Sequence, residues 1–328
     1  MGPRYRRRRG AVGGLLAVAA LALTACASAH AAAPQPEPAP PAIPEAVAVG
    51  CGHGVGPGTS TLTLRVGGRD RFARLHIPRG YGGQTLPLVV NLHGSGSTAA
   101  GQETVSGMDG TADAHQFLVA YPQGQRRTGA GFAWNVPGTP AWQAGGPDEA
   151  AFVRQLVAML GERYCVDARR VYAAGFSGGG RMASQLACES GRLFAAVAAV
   201  GGLRAPSPCP GEAVPVLGVH GTADAQNPYN GPGQPYWTYS VPEAARRWAV
   251  HNGCPGTPTT GPASAGVTRT AYRGCRGGAS VELYTLPGKG HLWPAPRAGG
   301  FAANEVIWRF FTDHPFPEAD RDRPRPRT

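Results

Sequence analysis

Short apolar runs alternate along the chain with segments that have the spacing of amphipathic helices. The runs LPLVVNL at 86–92 and FLVAYP at 117–122 are typical of strands buried on both faces. At 148–164, apolar residues recur at the helical period behind a first turn with acidic residues. Later strand-like runs and helical segments continue the alternation: RRVYAAG, GGRMASQLACES, AAVAAVGG, PVLGVHG, VPEAARRWAVHN, VELYTLPG and FAANEVIWRFFTDH. The sequence therefore predicts an α/β fold with a mostly parallel central sheet and helices on both faces, preceded by a hairpin at 61–78.

Length, composition and charge indicate a folded protein and argue against a nucleic-acid partner. The chain has 328 residues, enough for one large domain or two small ones, and 42% of them are hydrophobic. The formal charge of +11 comes in part from residues 1–25, which hold five arginines and no acid, so the rest has 26 basic and 20 acidic residues. This mild excess comes without a Lys/Arg cluster interleaved with aromatics, so we expect no nucleic-acid partner.

The N-terminus has the pattern of a bacterial signal peptide over residues 1–25. Basic MGPRYRRRRG is followed by apolar AVGGLLAVAALALTA, which is too short and wrongly flanked for a typical membrane span. The segment ends in LTAC, which resembles a lipobox whose cysteine, Cys26, is lipidated. The alternative is an ordinary secretory signal cut in the nearby ASAHAAA stretch. The lipobox predicts a lipoprotein on the extracellular face of the cell membrane, in contact with the membrane through its anchor only.

The remaining chain divides by composition. Residues 26–50 are rich in Ala and Pro and predict an extended tether. Residues 51–314 contain the alternating pattern and predict one catalytic domain. Residues 315–328 are charged and Pro-rich, which predicts a disordered tail.

Seven cysteines are an odd number for a secreted protein, but six remain if Cys26 carries a lipid. Six cysteines can form three disulfides in an oxidising compartment, in any of about 15 pairings. No CxxC spacing is present, so we expect no metal site. Proximity in the sequence favours Cys188–Cys209 and Cys254–Cys275, which leaves Cys51 with Cys165.

The stretch GFSGG at 175–179 fits the pattern G-x-S-x-G between a predicted strand and a predicted helix. A nucleophile elbow holds its serine in a strained conformation, where side chains two positions away would clash. We therefore predict that Ser177 is a nucleophile. The alternative is a tight structural turn in a chain with 49 glycines.

A serine hydroxyl needs a base to remove its proton, and in this fold the order along the chain is serine, acid, histidine. His291 lies in a glycine-flanked loop after the last strong strand, so it is the predicted base. His220 ends a strand before the acid and is expected to shape that turn. His251 lies in a predicted helix, and His314 lies beside the tail.

Asp224 follows PVLGVHG and is the predicted acid that orients the imidazole. Glu243 and Glu305 lie in predicted helices, and Asp313 lies near the chain end. The alternative for Asp224 is a turn aspartate that bonds its own backbone.

Two backbone N–H groups should stabilise the oxyanion. The Gly178 amide follows the nucleophile, and the Ser95 amide lies in the loop after LPLVVNL; a generic Gly/Ser turn is the alternative for that loop. Loop aromatics are candidates for substrate binding, with ordinary packing an equal alternative for the first three. They are Trp134, Tyr229, Trp237 and Trp293.

Five stretches carry a family resemblance. They are, in chain order, LHGSGS, YCVDARRVYAAGFSGGGRMASQLAC, HGTAD, YWTYSVPEAARRWAVHNGC and GKGHLWP. Together they resemble the secreted polyhydroxybutyrate-depolymerase and feruloyl-esterase group of α/β-hydrolases, and lipidated actinobacterial esterases of this group in particular. The likeness covers roughly residues 50–312. Some relatives have cysteine at the position of Ser95, but a backbone donor does not depend on the side chain.

The resemblance implies an α/β-hydrolase fold and serine-esterase activity on aryl or short hydroxyacyl esters. Hydrolysis through a serine acyl-enzyme requires no cofactor or metal, so we expect none. It assigns the same triad: Ser177, Asp224 and His291. A peptidase or acyltransferase on the same scaffold is the alternative among enzymes. A surface-binding lipoprotein on an inactive hydrolase scaffold is the alternative from another class, and the intact triad argues against it.

Overall fold

A ten-stranded sheet forms the centre of the computed structural model, which describes residues 56–295 and 300–318. Its strands are β1 (Gly58–Val66), β2 (Arg69–Ile77), β3 (Leu86–Leu92), β4 (Leu118–Pro122), β7 (Val166–Phe176), β8 (Ala196–Val200), β9 (Val216–Gly221), β10 (Thr259–Ser264), β11 (Val267–Tyr272) and β12 (Val281–Leu286). A separate two-stranded ribbon is formed by β5 (Arg126–Thr128) and β6 (Gly131–Ala133). The helices are α1 (Ala99–Ser106), α2 (Met108–His115), α3 (Glu149–Arg163), α4 (Gly178–Glu189), α5 (Val241–His251) and α6 (Ala303–Thr312).

The strand order is β1-β2-β4-β3-β7-β8-β9-β12-β11-β10. The central six strands, β4-β3-β7-β8-β9-β12, are parallel to one another. The pairs at each end of the sheet are antiparallel. The prediction of a mostly parallel sheet, led in by a hairpin, is therefore confirmed.

Both faces of the sheet are covered by apolar packing, as a parallel sheet requires. In β3, Leu88, Val90 and Leu92 pack into the core on one side, and Val89 packs into the core on the other. The first core includes buried residues of α3, α4 and α5, and the second includes those of α1, α2 and α6. The alternation of side chains along a strand divides the apolar residues between the two layers.

Helix α3 illustrates how the sequence builds this cover. The Asp148 side chain caps its first turn by accepting a hydrogen bond from the Ala151 N–H at 2.7 Å. Phe152, Leu156 and Leu160 then return to one face at the helical period and are completely buried. The helix therefore lies with this face on the sheet.

The alternating pattern does not indicate α1, α2, the β5–β6 ribbon or the β10–β11 hairpin. The sequence of α2, MDGTADAH, has a glycine in its interior and no apolar period. Strand β10 contains Pro262, which is tolerated because β10 is an edge strand of the sheet. These elements depend on tertiary contacts that a local pattern does not contain.

Two of the favoured disulfides, Cys188–Cys209 and Cys254–Cys275, are formed. Cys165 is also disulfide-bonded. Cys51, the lipidation candidate Cys26, the signal peptide and the tether lie outside the described residues. At the other end, part of the expected tail is bound to the sheet. The Phe316 N–H donates to the carbonyl of Arg169 in β7 at 3.0 Å, and the Phe316 carbonyl accepts from Arg169 Nε at 2.8 Å.

None of the helices within the described ranges is long and apolar enough to cross a membrane.

Candidate active site

The carboxyl ends of three parallel strands carry the predicted catalytic residues. Ser177 directly follows β7, Asp224 follows β9, and His291 follows β12. In a parallel sheet these ends lie along one edge, where open α/β proteins place their ligands.

Ser177 has the backbone conformation of a nucleophile elbow. Its φ is 51° and its ψ is −112°, a strained combination for a residue with a side chain. The Ser177 N–H donates to the Val200 carbonyl at 2.8 Å, which ties the elbow to β8. The turn needs glycine at 179, because a Cβ there would lie 2.0 Å from the Leu92 carbonyl oxygen. The glycines of the GFSGG stretch thus leave room for neighbouring backbone.

Asp224 and His291 are in direct contact, with 2.7 Å between Asp224 Oδ2 and His291 Nδ1. Because a carboxylate accepts, Nδ1 carries the proton in this contact, and Nε2 is left as the acceptor that a general base requires. The two loops are also joined by a backbone hydrogen bond from the Ala223 N–H to the Lys289 carbonyl at 2.9 Å. This pairing orients the imidazole.

The surroundings of Asp224 favour its charged form. Burial alone would raise the pKa of Asp224, but hydrogen bonds from His220, His291 and the Asn227 backbone together hold that pKa well below its usual range. Asp224 therefore stays ionised as an acceptor at neutral pH.

His220 also reaches the acid, with 3.2 Å between its Nε2 and Asp224 Oδ2. The sequence predicts only that His220 shapes the turn, and it does bond the Asn227 carbonyl at 2.8 Å. The additional contact with Asp224 is a feature that reasoning from the sequence missed. The sequence signal for this contact is that His220 and Asp224 lie four positions apart in the stretch HGTAD.

Phe176 precedes Ser177 in the chain, and its ring centroid lies 4.8 Å from that of the His291 imidazole. Within the described residues, the Ser177 hydroxyl has no hydrogen-bond partner. Such bonds are often long in unliganded enzymes and tighten when substrate binds.

The two predicted oxyanion donors are close together. A Cβ added to Gly178 would lie 2.9 Å from the Ser95 nitrogen. The Ser95 loop is fixed by hydrogen bonds from the Gly96 N–H to the Phe132 carbonyl at 2.8 Å and from the Ser97 N–H to the Gly94 carbonyl at 3.1 Å. Neither the Ser95 nor the Gly178 amide donates to another described residue. Both are therefore available to a developing negative charge.

His93 joins this loop to the neighbouring backbone through hydrogen bonds at both ring nitrogens. Its Nδ1 donates to the Gly94 carbonyl at 2.8 Å, and its Nε2 accepts from the Gly124 N–H at 3.0 Å. Burial lowers the pKa of His93 to about 4, although the hydrogen bond to Gly94 opposes the shift. His93 is therefore uncharged at neutral pH and holds the loop in place through its two hydrogen bonds.

This lowered pKa predicts a loss of stability in acid. The pKa of His93 falls from 6.5 to about 4 on folding, so the stabilisation is complete above pH 6.5 and is lost as the pH falls toward 4. We expect His93 to account for a decrease on the order of 3 kcal/mol in the free energy of unfolding over that range. Urea titrations at a series of pH values should show a shallower acid slope for His93→Gln than for the wild type. The matched control is His251→Gln at a partly exposed histidine. Equal slopes for all three proteins would contradict the prediction.

The predicted substrate-binding aromatics are mostly occupied by internal contacts. Trp134, Trp237 and Trp293 are buried. Their indole N–H groups donate to the His93 carbonyl at 2.7 Å, the Pro228 carbonyl at 2.9 Å and Asn304 Oδ1 at 2.8 Å, respectively. For Trp134 and Trp237 these contacts agree with the packing alternative, and substrate binding by the four aromatic residues stays a prediction. The partly buried Tyr229 bonds the Thr285 hydroxyl at 2.8 Å.

The described ranges contain no group of three or more His, Cys, Asp or Glu side chains that could hold a metal ion.

A serine on a strand-to-helix elbow, an Asp–His pair and a mostly parallel sheet together define an α/β-hydrolase. The Esterase PHB depolymerase family model matches residues 72–209. The chain is also 33% identical over 257 residues to NocK of Nocardia uniformis subsp. tsuyamanensis, a protein named as an esterase, covering 70% of this chain and 72% of that one. The chain belongs to the PHB depolymerase esterase family.

Two further proteins show the extent of the likeness. Feruloyl esterase B of Piromyces equi is 31% identical over 230 residues, which cover 65% of this chain but 41% of the relative. The solved acetyl xylan esterase from Aspergillus awamori superposes with a TM-score of 0.56 at 15% identity, covering 77% of this chain and 99% of that one. At this identity the superposition shows the fold alone.

Proposed function

We propose that this protein is a serine esterase that hydrolyses carboxylic esters through an acyl-enzyme on Ser177. The observation that carries the proposal is the 2.7 Å contact between Asp224 and His291 at the same sheet edge as the strained Ser177. Membership of an esterase family supports the reaction class.

The mechanism follows from the roles of the side chains. His291 Nε2 takes the proton of the Ser177 hydroxyl as the oxygen attacks the ester carbonyl. The negative charge on the carbonyl oxygen is stabilised by the Gly178 and Ser95 amides. The alcohol leaves with the proton from His291, and water activated by the same imidazole then releases the acid. Asp224 stabilises the imidazolium that forms in each step.

The proposed substrates are feruloyl, acetyl or hydroxyalkanoyl esters. Feruloyl esters are named in one relative, poly(3-hydroxyalkanoate) is named in another, and acetyl esters stay a prediction from the sequence. These esters have different acyl groups but share a carbonyl that the same oxyanion donors can hold.

A panel of substrates tests the reaction class. We expect the purified protein to hydrolyse p-nitrophenyl acetate and butyrate and to be labelled by a fluorophosphonate probe. We expect turnover of peptide anilides to be far slower. Faster cleavage of anilides, or no labelling, would contradict the esterase proposal. Product analysis on feruloylated xylan, acetylated xylan and hydroxybutyrate oligomers then identifies the acyl group.

The compartment is part of the same proposal. The disulfides of the described domain fit an oxidising environment, which supports secretion. Anchoring through Cys26 stays a prediction from the sequence, to be checked by mass spectrometry of the mature N-terminus.

A further inference from the structure

His220 is buried at the end of β9, and one of its two ring nitrogens has a hydrogen-bond partner within the described ranges. Its Nε2 lies 2.8 Å from the Asn227 carbonyl and 3.2 Å from Asp224 Oδ2. Both oxygens accept, so Nε2 carries the proton. Nδ1 is then an acceptor, and it is buried without a hydrogen-bond partner among the residues that the structure describes.

An unsatisfied buried acceptor costs free energy. An aliphatic side chain would fill this position beside the Tyr229 and Trp237 rings without that cost. What only a donor can contribute here is the hydrogen bond from Nε2 to the Asn227 carbonyl and the 3.2 Å contact of the same N–H group with Asp224 Oδ2. The contacts of His220 therefore favour a role in holding Asp224 over a role in apolar packing.

Three N–H groups donate hydrogen bonds to the carboxylate of Asp224, and a fourth, that of His220, lies close to it. Oδ1 accepts from the backbone N–H groups of Gln226 at 2.9 Å and Asn227 at 2.8 Å. Oδ2 accepts from His291 at 2.7 Å and lies 3.2 Å from His220 Nε2. The N–H groups of His220 and His291 therefore both face Oδ2.

Asn227 connects this donor to the rest of the site. Its carbonyl accepts from His220, and its side-chain amide donates to the Gly201 carbonyl at 2.6 Å. Its side-chain oxygen accepts from the buried guanidinium of Arg181 at 3.2 Å. The loop that holds Asp224 is therefore tied to β9, to the end of β8 and to α4.

We propose that His220 is a positioning residue for the reaction. It holds Oδ2 of Asp224 toward His291 and makes no contact with substrate. This inference rests on the proposed function, because it assigns His220 a role through the proposed acid.

Two substitutions test the role. His220→Leu removes the donor. By analogy with residues that orient the protein ligands of a metal ion, we expect kcat to fall by about 10- to 100-fold, with KM within about two-fold. His220→Gln keeps an amide N–H near the position of Nε2 and should recover most of this loss. The matched control is His115→Leu, at a histidine on α2 that pairs with Glu305, and its kcat should equal that of the wild type.

A pH profile separates positioning from a general effect on the fold. The titratable and charged groups that face Asp224 are His220 on β9, His291 after β12 and Arg181 on α4. Without the donor from His220, the carboxylate binds a proton at higher pH. We therefore expect the ratio of kcat/KM for His220→Leu to that of the wild type to fall as the pH is lowered from about 6 toward about 4, because an aspartate with its usual pKa of about 4 begins to bind a proton there. A purely structural defect would lower kcat equally across the profile.

The outcomes are distinguishable. An inactive wild type would contradict the proposed function. An active wild type together with a folded His220→Leu protein of equal kcat would overturn only the role of His220. If His220→Leu does not fold, His220→Gln is compared with His220→Asn, whose shorter amide cannot reach Oδ2. Equal activity of these two variants would overturn the proposal, and a selective loss in His220→Asn would support it.

Discussion

Replacing Ser177 by alanine is expected to lower kcat for ester hydrolysis by on the order of 10⁶-fold, the loss seen when a triad serine is removed from a serine protease. The substitution removes the only oxygen at the elbow that can form the acyl-enzyme. The Ser95 and Gly178 amides remain and should leave a small residual rate above that in water. Turnover of p-nitrophenyl butyrate measures the loss, and a fluorophosphonate probe should no longer label the protein.

The control for this experiment is Ser95→Ala. The Ser95 side chain lies against Gly178, but the proposed oxyanion donor at Ser95 is its backbone N–H. Ser95→Ala keeps that donor, so we expect kcat within about ten-fold of the wild type, and labelling should persist. Labelling of folded Ser177→Ala, checked by its thermal unfolding, would place the nucleophile at another residue.

Much of the central sheet could be predicted because its strands are continuous apolar runs. The run LPLVVNL corresponds to β3 at both ends, since each of its seven residues is buried. Helix α3 differs from the predicted segment 148–164 by one residue at each end, because Asp148 caps it and the chain leaves the helix at Tyr164. Local pattern and tertiary environment agree in these elements.

Elements at the margins of the sheet could not be predicted in the same way. Strand β11, Val267–Tyr272, is mostly half-buried and gains its hydrogen bonds by pairing with β12. Helix α2 buries Met108 and Ala112 against the second core, but its polar sequence shows no apolar stripe. Their formation depends on partners distant in the chain, which local propensity does not encode.

The candidate site also contains residues whose placement could be predicted from the sequence and contacts that could not. Strand ends place Ser177, Asp224 and His291 on neighbouring loops, because parallel strands bring their carboxyl ends to one edge. The contact between His220 and Asp224 depends on how the HGTAD turn folds over Asn227, which no periodicity expresses. The aromatic residues show a further limit, because a tryptophan in a loop has the same sequence signature whether it is buried, as Trp134 is, or lines a cleft.

Replacing Asp224 by asparagine is expected to lower kcat by on the order of 10⁴-fold while the domain stays folded. The Asn side-chain oxygen can still accept from the Gln226 and Asn227 N–H groups, so the turn keeps its local hydrogen bonds. The amide NH₂ then faces His291 Nδ1, and two donors cannot bond each other. The imidazole must accept at Nδ1 and carry its proton on Nε2, where it cannot take the proton of Ser177. Kinetics with p-nitrophenyl butyrate measure kcat, and labelling by the fluorophosphonate should be slowed but still occur.

Glu243 offers the matched control, because it is the next carboxylate that the sequence suggests as the acid. Hydrogen bonds from Arg246 and Arg247 lower the pKa of Glu243 to about 2 on the surface of α5, so Glu243→Gln should leave kcat unchanged. A folded Asp224→Asn protein with turnover close to the wild type would show that another group orients His291.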